Sequence, residues 1–234
     1  MKAVESWGRY PRWPQQAVPL SWPEQLPGLM AGLASSTLAY GNGRSYGDSC
    51  LSASGSVVAM RPLRQVLAVD WQQGRIRAGA GMTLDELIAL TLPMGWFLAV
   101  TPGTRFATLG GCVANDVHGK NHHVRGCFGA HVHEVGLWRS DQGLVQCSAQ
   151  RTPGLWAATL GGLGLSGIIL WVELQLMPVA SGQIRVLQQR FGNFDEFLQL
   201  TEQDQQHEYG VAWVDGLARG AQLGRGVYLF GDHA

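Results

Sequence analysis

Three glycine-rich stretches carry the residues able to do chemistry. The first, Ala39, Tyr40, Gly41, Asn42, Gly43, Arg44, Ser45, Tyr46, Gly47, Asp48 and Ser49, follows a strand-like run. Glycines 41, 43 and 47 let successive backbone N–H groups converge on an anion as a nest. A dinucleotide-binding Rossmann loop would need G-x-G-x-x-G opening a helix. Here the third glycine comes one residue late, and turn-forming residues follow Asp48. The stretch is a phosphate loop of another design or a tight turn. The second stretch, Pro102–Gly111, places Gly103, then Thr108, Leu109, Gly110 and Gly111, ahead of the apolar Cys112–Ala114. Paired glycines let a backbone pass close to a ligand and open a helix; a packing role accounts for them equally well.

The third stretch, Asn115–His123, holds Asn115, Asp116, Val117, His118 and Lys120. Five of the seven histidines fall between 118 and 133. His118 and His122, with Cys112 and Cys127 nearby, admit a zinc reading. However, Gly119 interrupts the helix that would align the two histidines, and no distant ligand pair matches them. Polar loop histidines satisfied by hydrogen bonds are the plainer alternative.

The elements that must position these loops follow from pattern. Strands are expected at Ser36–Tyr40, Ser56–Met60, Gln65–Asp70 and Arg75–Ala80. Thr83 and Glu86 form a capping box ahead of Leu84, Leu87 and Ile88, so a helix runs from there towards Pro93. Trp22–Met30 reads as a short helix. Strands follow at His131–Arg139 and Leu144–Ser148, then a helix, glycine turn and strand over 153–177. Beyond Pro178 the sequence predicts a strand at Gln183–Arg190, a helix at Asn193–Thr201, and strands at Ala212–Val214 and Gly226–Phe230.

Composition narrows the function classes. The 234 residues carry 17 basic and 17 acidic side chains and are 46% hydrophobic, enough for a sizeable core in one or two domains. A neutral chain lacks the basic face that displaces counterions from nucleic acid, so no nucleic-acid partner is expected. Glycine, at 32 residues, is roughly twice its usual frequency, and 13 of them lie between 101 and 170. The four cysteines show no CxxC spacing and no signal peptide precedes them, so reduced thiols and a cytoplasmic location are expected. The uncharged run Thr152–Val172 is broken by five glycines and alternates in its second half, so it reads as helix and buried strand, not a membrane span.

GNGRSYGD, PGTRFATLGG, NDVHGKNHH with GCFG, and GGLGLSGII, in this order, resemble the FAD-binding half of the vanillyl-alcohol-oxidase (p-cresol methylhydroxylase, PCMH) type flavoproteins. Within them the similarity points to oxidases of polyprenylphosphoryl ribose, and more distantly to aldonolactone and alditol oxidases. The resemblance implies an α+β fold: a PCMH-type FAD-binding domain of two α/β subdomains over 1–178, then the beginning of an incomplete α+β substrate domain over 179–234. It implies that 39–49 holds the FAD pyrophosphate, that Gly103 and Thr108–Gly111 run along the cofactor, that Asn115–His118 approaches the flavin ring, and that Ile169 contacts the adenine-side half. Some relatives attach FAD through a histidine in this phosphate loop; Arg44 stands there and no histidine precedes 118, so FAD is expected to be non-covalent.

The activity so implied is hydride transfer from a CH–OH group of a sugar, sugar lactone or sugar-phosphate lipid, with His118 and Lys120 beside the substrate. A lipid substrate would draw the protein to a membrane surface. The chain stops inside the second domain of the family pattern, so a separate C-terminal half, or a reductase as electron acceptor, is an expected partner. A non-catalytic FAD-binding fragment is the competing class.

Overall fold

The computed structural model describes residues 4–33, 36–204 and 206–234. Its strands form three sheets, each built from one continuous part of the sequence.

The first part contains β1 (Gln16–Pro19), α1 (Leu26–Ala31), β2 (Leu38–Tyr40) and β3 (Ser56–Ala59). The strands are parallel in the order β1-β3-β2, with Val58 opposite both Val18 and Ala39. Val57 and Val58 are fully buried, as a central strand covered on both faces requires. β1 was not foreseen: Pro14 and Pro19 mask its pattern, and an edge strand tolerates a proline at its end. The expected helix at 22–30 is a 3-10 turn, Pro23–Gln25, running into α1.

The second part contains β4 (Val66–Asp70), β5 (Arg75–Gly79), α2 (Leu84–Thr91), β6 (Trp96–Leu98), α3 (Leu109–Ala114), α4 (His122–Arg125), β7 (Val132–Arg139), β8 (Gly143–Cys147), α5 (Pro153–Thr159) and β9 (Ile168–Pro178). The antiparallel order is β4-β5-β9-β7-β8, and β6 also pairs with β9. β9 is the hub: Leu170, Val172, Leu174 and Leu176 are buried, while Glu173 meets the Arg77 guanidinium at 2.6 Å. The capping box forms as the sequence predicts, with Glu86 N–H donating to Thr83 Oγ1 at 3.3 Å and Thr83 N–H to the Glu86 carboxylate at 2.8 Å. Arg61 and Arg64 bond the same carboxylate at 2.7–3.0 Å. These bonds, led by Arg61, hold its pKa far below the usual carboxylate range. They clamp the β3–β4 connection onto α2. Leu20, Leu26 and Val58 of the first part join Leu84, Leu109 and Leu170 of the second in one hydrophobic core.

The third part contains β10 (Ile184–Phe191), α6 (Phe194–Gln203), β11 (Tyr209–Val214) and β12 (Gly226–His233), antiparallel in the order β10-β12-β11. Asn193 caps α6, its Oδ1 accepting from Glu196 N–H at 2.9 Å. This part is thinly packed: β10 is exposed from Ile184 to Arg190. It attaches to the second part through Glu208, which receives two bonds from Arg125 at 2.8 Å and one from Asn121 at 2.9 Å. Gly210 N–H also donates to the Lys120 carbonyl at 2.9 Å. Together these elements make the α+β architecture expected of a PCMH-type domain.

Candidate functional site

The first loop leaves the carboxyl end of β2, the end of a parallel sheet where ligands gather. Gly43 and Gly47 adopt φ values of +61° and +58°, which an L-residue adopts only with strain. A Cβ on Gly43 would also overlap the Glu5 carbonyl and the Tyr40 hydroxyl. The N-terminal segment braces the loop from outside: Tyr40 donates its hydroxyl to the Glu5 carbonyl at 2.8 Å, and Trp7 N–H donates to the Ser45 carbonyl at 3.1 Å. Burial pushes the Tyr40 phenol upward, so it stays a donor. Arg44 is pinned by its Nε to the Asn42 carbonyl at 3.0 Å. Among the described residues, the amides of Asn42 through Gly47 donate to no protein acceptor. Such a run of free N–H groups in a left-handed turn is a ready anion cradle.

The second loop closes on the first. Asn42 donates its Nδ2–H to the Phe106 carbonyl at 2.8 Å, and a Cβ on Gly41 would overlap Thr108. Thr108 caps α3, accepting from Gly111 N–H at 3.3 Å. Leu109 N–H donates to the Met82 carbonyl at 2.8 Å and Gly110 N–H to the Ala80 carbonyl at 2.9 Å. The first amides of α3 are therefore consumed within the protein, so the amides left free for an anion lie in the first loop. The glycine pair divides its work. A Cβ on Gly110 would meet the Ala80 methyl at 2.9 Å, whereas one on Gly111 would meet only the Thr108 hydroxyl, at 3.1 Å.

A third wall hangs from the end of α3, where Gly161 N–H donates to the Val113 carbonyl at 3.0 Å and Leu163 N–H to that of Ala114 at 2.8 Å. The three walls enclose a cleft of about 550 Å³, within the range of cofactor sites. Of the expected residues, Ala39, Gly41, Asn42, Gly43, Arg44, Ser45, Tyr46 and Ser49 line it, as do Gly103, Thr108, Gly110, Gly111, Asn115, Val117 and Ile169.

The remaining expected residues do not line the cleft. Tyr40 turns to Glu5, and Leu109 is buried in the core. Gly47 supplies the turn, and exposed Asp48 accepts from Leu51 N–H at 2.8 Å. Asp116, at φ +40°, points its Oδ1 to Gly129 N–H at 2.8 Å. His118 is exposed, its ring edge-on to His122 at 5.6 Å. Lys120 lines a separate cavity of about 340 Å³ against the third sheet.

Sequence reasoning missed several lining residues. Leu163, Gly164 and Gly167 lie inside the glycine-dense GGLGLSGII run, and Trp7 in SWGRYP, so a signal for them was present. Met60 and Ala80 reach the cleft only through tertiary packing, whereas Cys50 directly follows the first loop.

The donor set fits FAD. The free amides and Arg44 suit an anionic pyrophosphate, and the apolar side chains of Met60, Ala80, Ala107 and Ile169 line the same cleft. The zinc alternative finds no counterpart: among the described residues no three of His, Cys, Asp or Glu are grouped to hold a metal ion. Likewise, among them no helix is long and apolar enough to cross a membrane.

A cradle of free amides against a glycine-faced helix, at the edge of two sheets sharing one core, has the geometry expected of a nucleotide-cofactor site. Comparison with known proteins agrees: residues 34–148 match the FAD binding domain family. That match takes in just under half of the chain, and over it the chain is similar to FAD-binding domains. It is 32% identical over its whole length to decaprenylphosphoryl-beta-D-ribose oxidase of Mycolicibacterium smegmatis, covering 52% of that protein. It is 44% identical over 154 residues, 65% of the chain, to an uncharacterized protein of Streptomyces coelicolor, 41% of which is covered. With L-gulonolactone oxidase of Mus musculus it shares 27% identity over 140 residues, 59% of the chain and 31% of that oxidase. The chain spans about half the length, or less, of these relatives.

Proposed function

We propose that this chain is the flavin-binding portion of an oxidoreductase that oxidises a CH–OH group of a sugar, a sugar lactone or a polyprenylphosphoryl sugar. The observation that carries the reading is the meeting of both glycine loops around one cleft lined by Asn42–Tyr46, whose amides find no acceptor among the described residues. The two oxidases among its relatives act, by name, on a phosphoryl ribose and a gulonolactone, which supports a sugar-type substrate.

In this reading residues 1–178 bind the cofactor and 179–234 contribute to a substrate domain. Bound FAD would accept a hydride from the carbinol carbon at N5. The residues of this chain do the rest. The 42–47 amides hold the diphosphate without a basic surface, and Gly111 and Asn115 border the path of the cofactor. His118, next after the cleft-lining Val117, orients the substrate hydroxyl and takes up its proton. Lys120 places a positive charge where a substrate phosphate or developing negative charge is stabilised. In this reading FAD is held non-covalently, Arg44 standing where some relatives carry the attaching histidine.

A second reading is a flavin-binding unit that turns over only with a separate C-terminal half or a reductase partner. One experiment addresses both. The purified chain should show a flavin spectrum, and acid precipitation should release all yellow colour to the supernatant. Anaerobic addition of a prenylphosphoryl ribose or an aldonolactone should then bleach it. A flavin spectrum that no such donor bleaches supports the second reading, and absence of flavin refutes both.

A further inference from the structure

The cavity of about 340 Å³ beside Lys120 has a built polar end. His233 Nδ1 lies 2.8 Å from the Ser181 carbonyl. A carbonyl only accepts, so this nitrogen carries the hydrogen. In the neutral ring Nε2 is then an acceptor, and it faces the Tyr209 hydroxyl at 3.0 Å. The pair is fixed by its surroundings. The His233 ring sits edge-on to both Phe97 and Tyr209 at 5.1 and 5.6 Å. β11 is tied at its start through Gly210 N–H to the Lys120 carbonyl. Burial pushes the Tyr209 phenol up to about 12, so it stays protonated. With its hydrogen committed to His233, Tyr209 offers lone pairs to the cavity.

The same two backbone segments border both cavities. Thr101 lines this one and Pro102 and Gly103 the nucleotide cleft; Lys120 lines this one and Val117 the cleft. The segments touch, since a Cβ on Gly119 would overlap the Thr101 carbonyl. A ligand here therefore lies one backbone layer from the cofactor cleft, at the end where His118 sits. Ile184, Val186 and Phe230 give this cavity apolar walls, and Lys120 is the cation among its described lining residues.

We propose that Tyr209, oriented by His233, is a specificity-determining residue that accepts a hydrogen bond from a ring hydroxyl of the substrate, with His233 as its positioning residue. The inference rests on the proposed sugar-oxidising function and names how that site selects a hydroxyl-bearing ligand with an anionic group. A neutral hydrogen bond of this kind discriminates about three- to tenfold.

The test uses the flavin-loaded protein with its flavin first reduced anaerobically by dithionite, so that no donor is turned over, titrated with farnesylphosphoryl-β-D-ribofuranose and with its 2-deoxy and 3-deoxy counterparts, and read by isothermal titration calorimetry. The unsubstituted protein is expected to bind the full sugar about three- to tenfold tighter than one of the deoxy probes. Tyr209→Phe should erase that difference while keeping flavin content. His233→Phe, which retains the ring contacts, frees the tyrosine hydrogen and should reduce the difference too. Equal binding of all three probes by the unsubstituted protein, or discrimination that survives both substitutions, overturns the inference. A variant that loses flavin or its folded circular dichroism is replaced by Tyr209→Leu or His233→Leu and judged by the same ratio. A chain that takes up no flavin sinks the underlying function instead, which keeps the two failures apart.

Discussion

Gly41 faces Thr108 so closely that a Cβ on the glycine would overlap the threonine hydroxyl. That contact joins two loops 67 positions apart in sequence and sets the width of the cleft beside the first-loop amides. Gly41→Ala should therefore force the loops apart. Overpacking of this kind costs about 1–3 kcal/mol, and here it falls on the closed form of the cleft. The expected outcome is at least a tenfold weaker hold on FAD, measured as the ratio of flavin to protein absorbance after gel filtration. Unchanged flavin content in Gly41→Ala would mean that the loops do not need this approach.

The neighbouring glycines of α3 should behave differently from each other. Gly110→Ala drives a methyl into Ala80, which is 2% exposed, so it should lower the melting temperature of the flavin-free protein. Gly111→Ala adds its methyl on the cleft side. It should leave the flavin-free protein nearly as stable and weaken FAD binding. Equal melting temperatures for the two flavin-free variants would contradict this division.

Glu86 makes stability depend on acid. Its folded pKa is depressed, chiefly by the Arg61 hydrogen bonds, from an ordinary value of 4.5. The stabilisation is therefore fully present above pH 4.5 and drains away as pH falls from there through the folded pKa. Glu86→Gln keeps part of the capping box but loses both charged partners, at a cost of about 1–3 kcal/mol at neutral pH. Urea denaturation at pH 7 and at pH 3.5 reads the sign. The gap between the variant and the unsubstituted protein should be wide at pH 7 and narrower at pH 3.5.

Much of this architecture was legible because local chemistry decided it. The Thr83–Glu86 box, the β9 alternation and the helix near 193–201 are set by neighbours within a few residues, so pattern alone placed them. The cleft was legible where glycine density marked a close approach, as at Gly41, Gly43 and Gly111. It was not legible where strands delivered a residue from afar: Met60 and Ala80 carry no local mark of a ligand. Side-chain direction was also hidden. Tyr40 and Leu109 lie within the right motifs, yet strand alternation and helix phase turn them away from the cleft. Asp116 is spent on Gly129, whose N–H its Oδ1 accepts at 2.8 Å.

The third sheet is held mainly by polar contacts, which predicts where the protein opens first. Burial pushes the Glu208 carboxyl up, but the bonds from Arg125 and Asn121 outweigh it and leave the pKa below its usual value. The docking contribution is thus complete above the ordinary carboxylate range and is lost as pH falls through that lowered value. Arg125→Ala should loosen β11 by about 1–3 kcal/mol, leaving the 16–178 core intact. Hydrogen exchange is the measurement: amides of 209–214 should exchange faster in the variant at pH 7, while those of β9 stay protected. Acceleration of both together would show that the third sheet unfolds only with the rest.

The last prediction separates holding the cofactor from using it. Neither His118 nor Lys120 lines the nucleotide cleft, and both side chains are exposed. Removing either should leave the flavin content and its spectrum unchanged. If the cavity beside Lys120 receives the substrate, chemistry should suffer instead. A positioned proton acceptor contributes roughly 10²–10⁴-fold to such a step, so His118→Ala should slow anaerobic bleaching by a prenylphosphoryl ribose at least a hundredfold, through the rate at saturation. Lys120→Met should act mainly on the concentration needed, because a point charge paired with a substrate phosphate is made before and after the hydride moves. Normal bleaching in both variants would remove these two residues from the mechanism while leaving the FAD cleft in place; loss of flavin in either would show that the cleft extends further along the 117–120 segment than its lining residues indicate.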